Sequence, residues 1–230
     1  MSVPLGTSTD ADTMPPGTDG GSEPKRRGRP RQDQPSAAYL AKQAEIIDVA
    51  IEVFKTRGFD QGTLDDVAAS LGTGRASLYH YVPSKAHLLY LIFDRAISTT
   101  LHTMAGLAAI PDPGERLRAL IRQQVHTIAA NPGLFMVFFG DRPALDERYE
   151  SDIRAKERRL LRYLIEAVKA ASEGGNLGPI EPRMAAQALL GMTSWLHKWY
   201  VPGRDDPDQF ADVCTQLVFG PRPGCSTSKP

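Results

Sequence analysis

The sequence predicts an all-α protein, and three observations predict it. Apolar residues recur at helical spacing in one segment after another, beginning with Ile46, Ile47, Ala50, Ile51 and Phe54. Helix punctuation separates those segments, with Gly58, Gly72 and the pair Gly174 and Gly175 at ends and Pro113, Pro182 and Pro207 at starts. No segment alternates apolar and polar residues in the manner of a strand.

Taken in order, residues 1–24 hold almost no large apolar side chain, so they are expected to be disordered. Residues 25–31 read Lys-Arg-Arg-Gly-Arg-Pro-Arg, a basic block offset by Asp10, Asp12, Asp19, Glu23 and Asp33 within the same tail of residues 1–35. From Ser36 a long helix runs to Gly58. Thr63 with Asp66 three residues on offers an N-cap for a short helix over Val67, Ala68 and Leu71, closed by Gly72. A second short helix spans Arg75 to Tyr81 and stops before Pro83. Ser84 caps the next, which carries Leu88, Leu91 and Ile92 and reaches about Met104. Asp112 and Pro113 open another, broken by Asn131 and Pro132 ahead of the aromatic run from Leu134 to Phe139. A long helix is expected over residues 144–172, another over 182–201, and a last one from Pro207 to about Phe219. Residues 220–230 read as a frayed tail.

Composition narrows the function. The chain has 230 residues, 41% hydrophobic and 23% charged, the balance of an ordinary soluble protein with a sizeable core. Lys and Arg total 27, as do Asp and Glu, which excludes a uniformly basic protein but allows local patches. Cys214 and Cys225 are the two cysteines, too few for a disulfide framework or a four-cysteine zinc site. There is no apolar run long enough for a membrane span and no secretory signal pattern, so a cytoplasmic protein is expected. The sequence lacks His-Glu-x-x-His, a phosphate-binding loop, Gly-x-Ser-x-Gly and a dinucleotide-binding glycine motif, and His80, His87, His102, His126 and His197 are scattered. Neither an enzyme, a metal site nor a cofactor is expected.

Two short helices joined by a tight turn match a helix-turn-helix, whose second helix lies in the major groove of DNA. Between Val67 and Phe93 there are two cations, Arg75 and Lys85, and no acid. Arg75 suits bidentate contact with guanine, while Tyr79 and Lys85 suit phosphate. The candidate DNA-contacting set is Thr63, Thr73, Arg75, Ala76, Ser77, Tyr79, His80, Tyr81 and Lys85.

Residues 62–89 resemble the DNA-binding domain of TetR-family transcriptional repressors. The residues that carry the resemblance are Thr63 before the first short helix, Gly72 in the turn, Tyr79, the run Pro83, Ser84, Lys85, and upstream Ala50, Phe54, Gly58 and Phe59. The chain departs from the family in having Val82 where Phe is common, and Gly72-Thr73-Gly74 where Gly-Val-Ser is usual. The resemblance implies a DNA-binding domain over residues 36–83 and a ligand-binding and dimerisation bundle over 84–219. It also implies a homodimer on a palindromic operator, with recognition helices about 34 Å apart. The wide apolar faces of residues 144–172 and 182–201 independently suit a dimer interface. Within the tail, Arg27, Arg29 and Arg31 resemble an AT-hook core; minor-groove insertion and non-specific phosphate contact are both open to it.

For the effector, Leu101, Met104, Phe135, Phe138 and Phe139 offer apolar wall. The segment from Gly191 to Gly203, with Trp195, Lys198 and Trp199, is similar to a signature in the TetR branch that senses acyl-CoA thioesters. That resemblance implies a large amphipathic effector, whose phosphates Arg154, Arg158, Arg162 and Lys198 would meet. The alternative is a multidrug-sensing repressor, and a helical enzyme or an architectural DNA-binding protein stands further off.

Overall fold

Helices begin where a side chain is placed to accept from their unpaired N–H groups. The computed structural model describes residues 35–140 and 145–220; the basic arm with Arg27, Arg29 and Arg31 and the tail from residue 221 lie outside the described residues. Within them α1 (Ala37–Gln61), α2 (Leu64–Ser70), α3 (Arg75–Tyr81), α4 (Lys85–Gly106) and α5 (Pro113–Ala130) are followed by α6 (Pro132–Phe139), α7 (Glu147–Glu173), α8 (Pro182–Ser194), α9 (Leu196–Trp199) and α10 (Pro207–Phe219). No strand occurs among the described residues. Ser36, Thr63, Ser84, Asp112, Glu181 and Asp206 cap α1, α2, α4, α5, α8 and α10 through their side-chain oxygens.

At Gly58 the backbone leaves helical geometry, with φ 76° and ψ 160°, as the glycine predicts, and a further short turn runs on to Gln61. Two boundaries differ from expectation. The long helix starts at Glu147, not at residue 144, because Leu145 and Asp146 are non-helical and residue 144 lies outside the described set. The single helix expected over 182–201 is two. The Ser194 carbonyl, which would accept the Lys198 N–H in a continuous helix, is met by His197 Nδ1 at 2.5 Å. The Lys198 N–H turns to the Trp195 carbonyl instead, 3.0 Å away, so the ladder is interrupted there.

The core forms two apolar clusters that share α4, α5, α7 and α10. The first joins Ile46, Ala50 and Phe54 of α1, Val67 of α2 and Leu78 of α3 to Leu88, Ile92 and Phe93 of α4 and Phe135 of α6. It therefore runs straight across position 84. The second gathers Met104 at the end of α4 with Leu117 and Leu120 of α5, Leu164 and Val168 of α7, Leu189 of α8 and Cys214 of α10. Each fully buried Leu, Ile or Phe contributes about 1.5–3 kcal/mol relative to exposure. Cys214 has no solvent exposure, and burial pushes its thiol up to about 11.

The α2 cap is a reciprocal box. Asp66 N–H donates to Thr63 Oγ1 at 3.1 Å, and Thr63 N–H donates to Asp66 Oδ2 at 2.9 Å. Thr63→Ala is expected to lower stability by about 1 kcal/mol, seen as a lower urea midpoint with an unchanged slope. Unchanged stability would mean that the box contributes nothing.

Candidate DNA interface and effector cavity

The turn between α2 and α3 depends on Gly72, whose φ of 63° few other residues adopt without strain. Thr73 N–H then closes back on the Ala68 carbonyl at 3.1 Å. Gly74 starts α3 with no side-chain cap, and the helix nevertheless forms because Leu78 anchors it in the core at 1% exposure. Val82, buried completely, fills the space just before Pro83.

With Leu78 turned inward, Arg75, Ala76, Ser77, Tyr79 and His80 face solvent together. They form the outer surface of α3. Arg75 is not free on it. Its guanidinium lies 3.1 Å from Asp65 Oδ2 and donates to Tyr79 Oη at 3.2 Å. The Tyr79 bond and the Asp65 charge hold it firmly protonated. Tyr81 and His80 pack on the ring of Tyr39, tying the start of α1 to the end of α3. Thr63 spends its hydroxyl on Asp66, which also receives Arg57 at 2.6 Å. Lys85 folds back: its Nζ donates to the Asp60 carbonyl at 3.1 Å and sits 4.3 Å from the Phe59 ring centroid.

A polar latch, absent from the sequence reading, joins α4 to α7. Tyr90 Oη donates to Asp152 Oδ2 at 3.0 Å, and Lys156 bridges Asp152 and Asp94. Tyr90 stacks on Tyr149 at 4.6 Å. Arg148 donates to Tyr149 Oη at 2.6 Å, which leaves the Tyr149 proton for His87 Nδ1, 2.8 Å away. Burial and the nearby Arg148 charge hold the His87 pKa below its usual 6.5, consistent with a neutral ring that accepts that proton.

Beyond the latch, α4, α5, α6, α7 and α8 line a cavity of about 410 Å³ that opens to solvent beside α8, where Gln187 is exposed. Phe135, Phe138 and Phe139 line it, as expected. The α4 wall comes from Ala96, Ile97 and Thr100, a turn before the expected Leu101 and Met104. Met104 is instead buried in the second cluster, and Leu101 packs against the first. Leu160 and Leu161 of α7 and Gln187, Leu190 and Ser194 of α8 complete the wall together with Gln124 and Glu157. Arg158 and Arg162 are exposed, one residue along from the wall positions Glu157 and Leu161. The two tryptophans have different neighbours: the ring of Trp195, at the junction of α8 and α9, lies near His197, while Trp199 packs edge-on against Phe210 of α10. Lys198 is exposed.

Sequence reasoning missed Gln124, although a signal was present. It sits among Leu117, Leu120, Ile121, Val125 and Ile128, a polar residue at a core position of an apolar stripe.

The expected apolar face of residues 144–172 is not exposed. Ile153, Leu164, Val168 and Ala171 of α7 are buried within the chain. Large exposed apolar side chains include Met184 and Trp195, on α8 and at its end, and Val213 and Leu217 on α10, besides Leu40, Met136, Ile180 and Val201 elsewhere. Ala188, one turn after Met184, is exposed as well.

Comparison with known proteins places this architecture. Residues 46–90 match the model for bacterial regulatory proteins of the tetR family, and residues 111–220 match the tetracyclin repressor-like C-terminal domain. The chain is 27% identical over 182 residues to an uncharacterised HTH-type transcriptional regulator of Mycobacterium tuberculosis, covering 78% of this chain and 76% of that protein. Among solved structures it is similar to AibR in complex with isovaleryl coenzyme A and operator DNA, at 26% identity and a TM-score of 0.72 over 78% of this chain and 99% of AibR. It shares its fold with the ketosteroid transcriptional regulator KstR2 of Mycobacterium tuberculosis, at 20% identity and a TM-score of 0.69 over 77% of this chain and 95% of that one.

The latch carries a pH dependence. Unfolding frees His87 to take up a proton near 6.5, while the folded ring resists protonation. Its stabilising share is therefore present above that value and lost as pH falls through the window beneath it. Urea midpoints should fall from about pH 7.5 to about pH 5.5, and His87→Phe should reduce that difference. An equal fall in the variant would remove His87 as the source.

Proposed function

Because the chain belongs to the tetR family of bacterial regulatory proteins, we propose that it is a repressor that binds a palindromic operator as a homodimer and is released by a small effector, an acyl-CoA thioester. The observation that carries the effector reading is the cavity walled by α4, the same helix whose first half packs into the core of the DNA-binding helices. AibR, similar in fold to this chain, is crystallised with isovaleryl coenzyme A and operator DNA.

In this reading, residues 36–83 read DNA through the outer face of α3, residues 84–219 bind ligand and dimerise, and the arm at residues 25–31 adds contacts to the minor groove or to phosphate. The tails are residues 1–35 and 220–230. Thr63, Thr73, Ala76, Ser77, His80 and Tyr81 shape or flank the reading surface, and Arg75 supplies base contacts after exchanging Asp65 for DNA. Tyr79 and Lys85 serve phosphates. The homodimer uses α8 and α10, since Met184, Ala188, Trp195, Val213 and Leu217 present apolar surface that water disfavours. An acyl group occupies the Phe-lined cavity, and Arg158, Arg162 and Lys198 meet the nucleotide outside it. The protein works in the cytoplasm, where its operator lies. No helix among the described residues is long and apolar enough to cross a membrane.

Release follows from linkage. A ligand that favours a tilted α4 shifts the recognition helices away from operator spacing, and DNA weakens ligand binding by the same factor. A second reading rests on Phe135, Phe138 and Phe139, three rings in one wall, whose faces suit a lipophilic cation and hence a multidrug sensor.

A titration of operator complex separates the two. CoA thioesters should release DNA at far lower concentration than their free acids, and Leu190→Trp, which fills the cavity, should block release while leaving operator affinity intact. Release by a planar cationic dye alone would favour the multidrug reading. Independently, Arg75→Ala should reduce discrimination between operator and scrambled DNA by about 1–3 kcal/mol. Unaltered discrimination would remove Arg75 as the base reader.

A further inference from the structure

Most polar side chains in the cavity wall already have partners. Thr100 is buried and donates its hydroxyl to the Ala96 carbonyl at 3.0 Å. Ser194 donates to the Gly191 carbonyl at 3.3 Å. Gln124 differs. It is the contribution of α5 to the wall, it is 6% exposed, and its Oε1 has no hydrogen-bond partner. A buried amide oxygen left this way is costly, and native structures keep few of them without a reason. The same wall holds the apolar Ile97, Phe135, Leu160 and Leu190 besides the polar Glu157 and Gln187, and on its other side Gln124 borders a far smaller void with Leu120, Leu189 and Thr193.

We propose that the occupant of this cavity carries a hydroxyl or carbonyl oxygen within its apolar part, and that Gln124 is the specificity-determining residue that reads it. The inference rests on the effector reading of the cavity and narrows the class of effector. A primary amide both donates and accepts, so it can satisfy either a hydroxyl or a carbonyl. A purely alkyl or aryl occupant would displace any water from Gln124 and offer nothing in return. A site built around a buried hydrogen-bonding group rejects analogues that lack the partner more strongly than it rejects a change of one methylene. The effector class is therefore an oxygenated acyl chain or ring, not a plain hydrocarbon chain.

The test uses p-cresol and p-xylene, which have nearly the same shape and differ by a hydroxyl in place of a methyl. Neither carries coenzyme A or charge, so their ranking is independent of whether thioesters release DNA. Affinities are measured by calorimetry on the full-length protein. The wild type should bind p-cresol roughly fivefold more tightly than p-xylene. In Gln124→Met, close in length and shape, the order should reverse, because the cresol hydroxyl then loses water without a replacement. Leu190→Trp should bind neither, which locates both probes in the cavity. Should the Met variant fail to fold by circular dichroism, Gln124→Leu takes its place. Tighter p-xylene binding in the wild type, a cresol preference that survives at Gln124→Met, or no binding of either probe would each overturn the assignment. Failure of CoA thioesters to release DNA, with the cresol ranking intact, would overturn the thioester reading alone.

Discussion

The buried strip along α4 is the constraint on which the rest of the structure depends. Leu88, Leu89, Ile92, Phe93, Ala96, Ile97, Thr100 and Met104 are all buried on one helix of 22 residues. The first four join the core of α1, α2 and α3, while Met104 joins the core of α5, α7 and α8. Close-packed interiors do not deform continuously, so this helix cannot shift at one end without repacking or carrying the other. A helix shared in this way gives a ligand at one end a packed connection to the DNA-binding helices at the other.

Much of this was legible in the sequence because it depends on local chemistry. The cap residues Ser36, Thr63, Ser84, Asp112 and Asp206 act within three residues of themselves, and Gly72 answers a backbone demand at its own position. The helix-turn-helix followed from those signals together with the spacing of Val67 and Leu78. What could not be read was set by partners distant in the chain. Tyr90 meets Asp152 and His87 meets Tyr149 across 62 residues. The surroundings of Trp195 and Trp199 could not be read for the same reason: the helix ladder is interrupted ahead of Trp195, and the two rings find different neighbours, His197 and Phe210. Met104 was assigned to the wrong wall because helical spacing reports that a residue is inside, not which interior space it faces.

Charge follows the same division. The net charge of zero says nothing of the DNA-reading face, because the relevant quantities are pairwise. Arg75 is already paired with Asp65 and Tyr79, and Lys85 with a carbonyl and a ring. Exposed pairs of this kind are weak in water, so the cations are held in place at small cost and are exchangeable. Preset side chains lose less freedom on binding than mobile ones.

The latch between α4 and α7 has a mechanical consequence. Tyr90 and Asp94 stand between the start of α4 at Lys85 and the cavity residues Ala96, Ile97 and Thr100. The ionic bonds at that point make a fulcrum, and the helix on either side of it a lever with unequal arms. The arm from Asp94 to Lys85 is about 13 Å long and the arm to Thr100 about 9 Å, at roughly 1.5 Å per residue. A rotation of about 10° moves the near end by under 2 Å and the far end by a little over 2 Å, while a hydrogen bond tolerates only a few tenths of an ångström. Motion small enough to be absorbed by rotamer changes around a bound molecule is thus large, at the other end, on the scale of base-pair recognition.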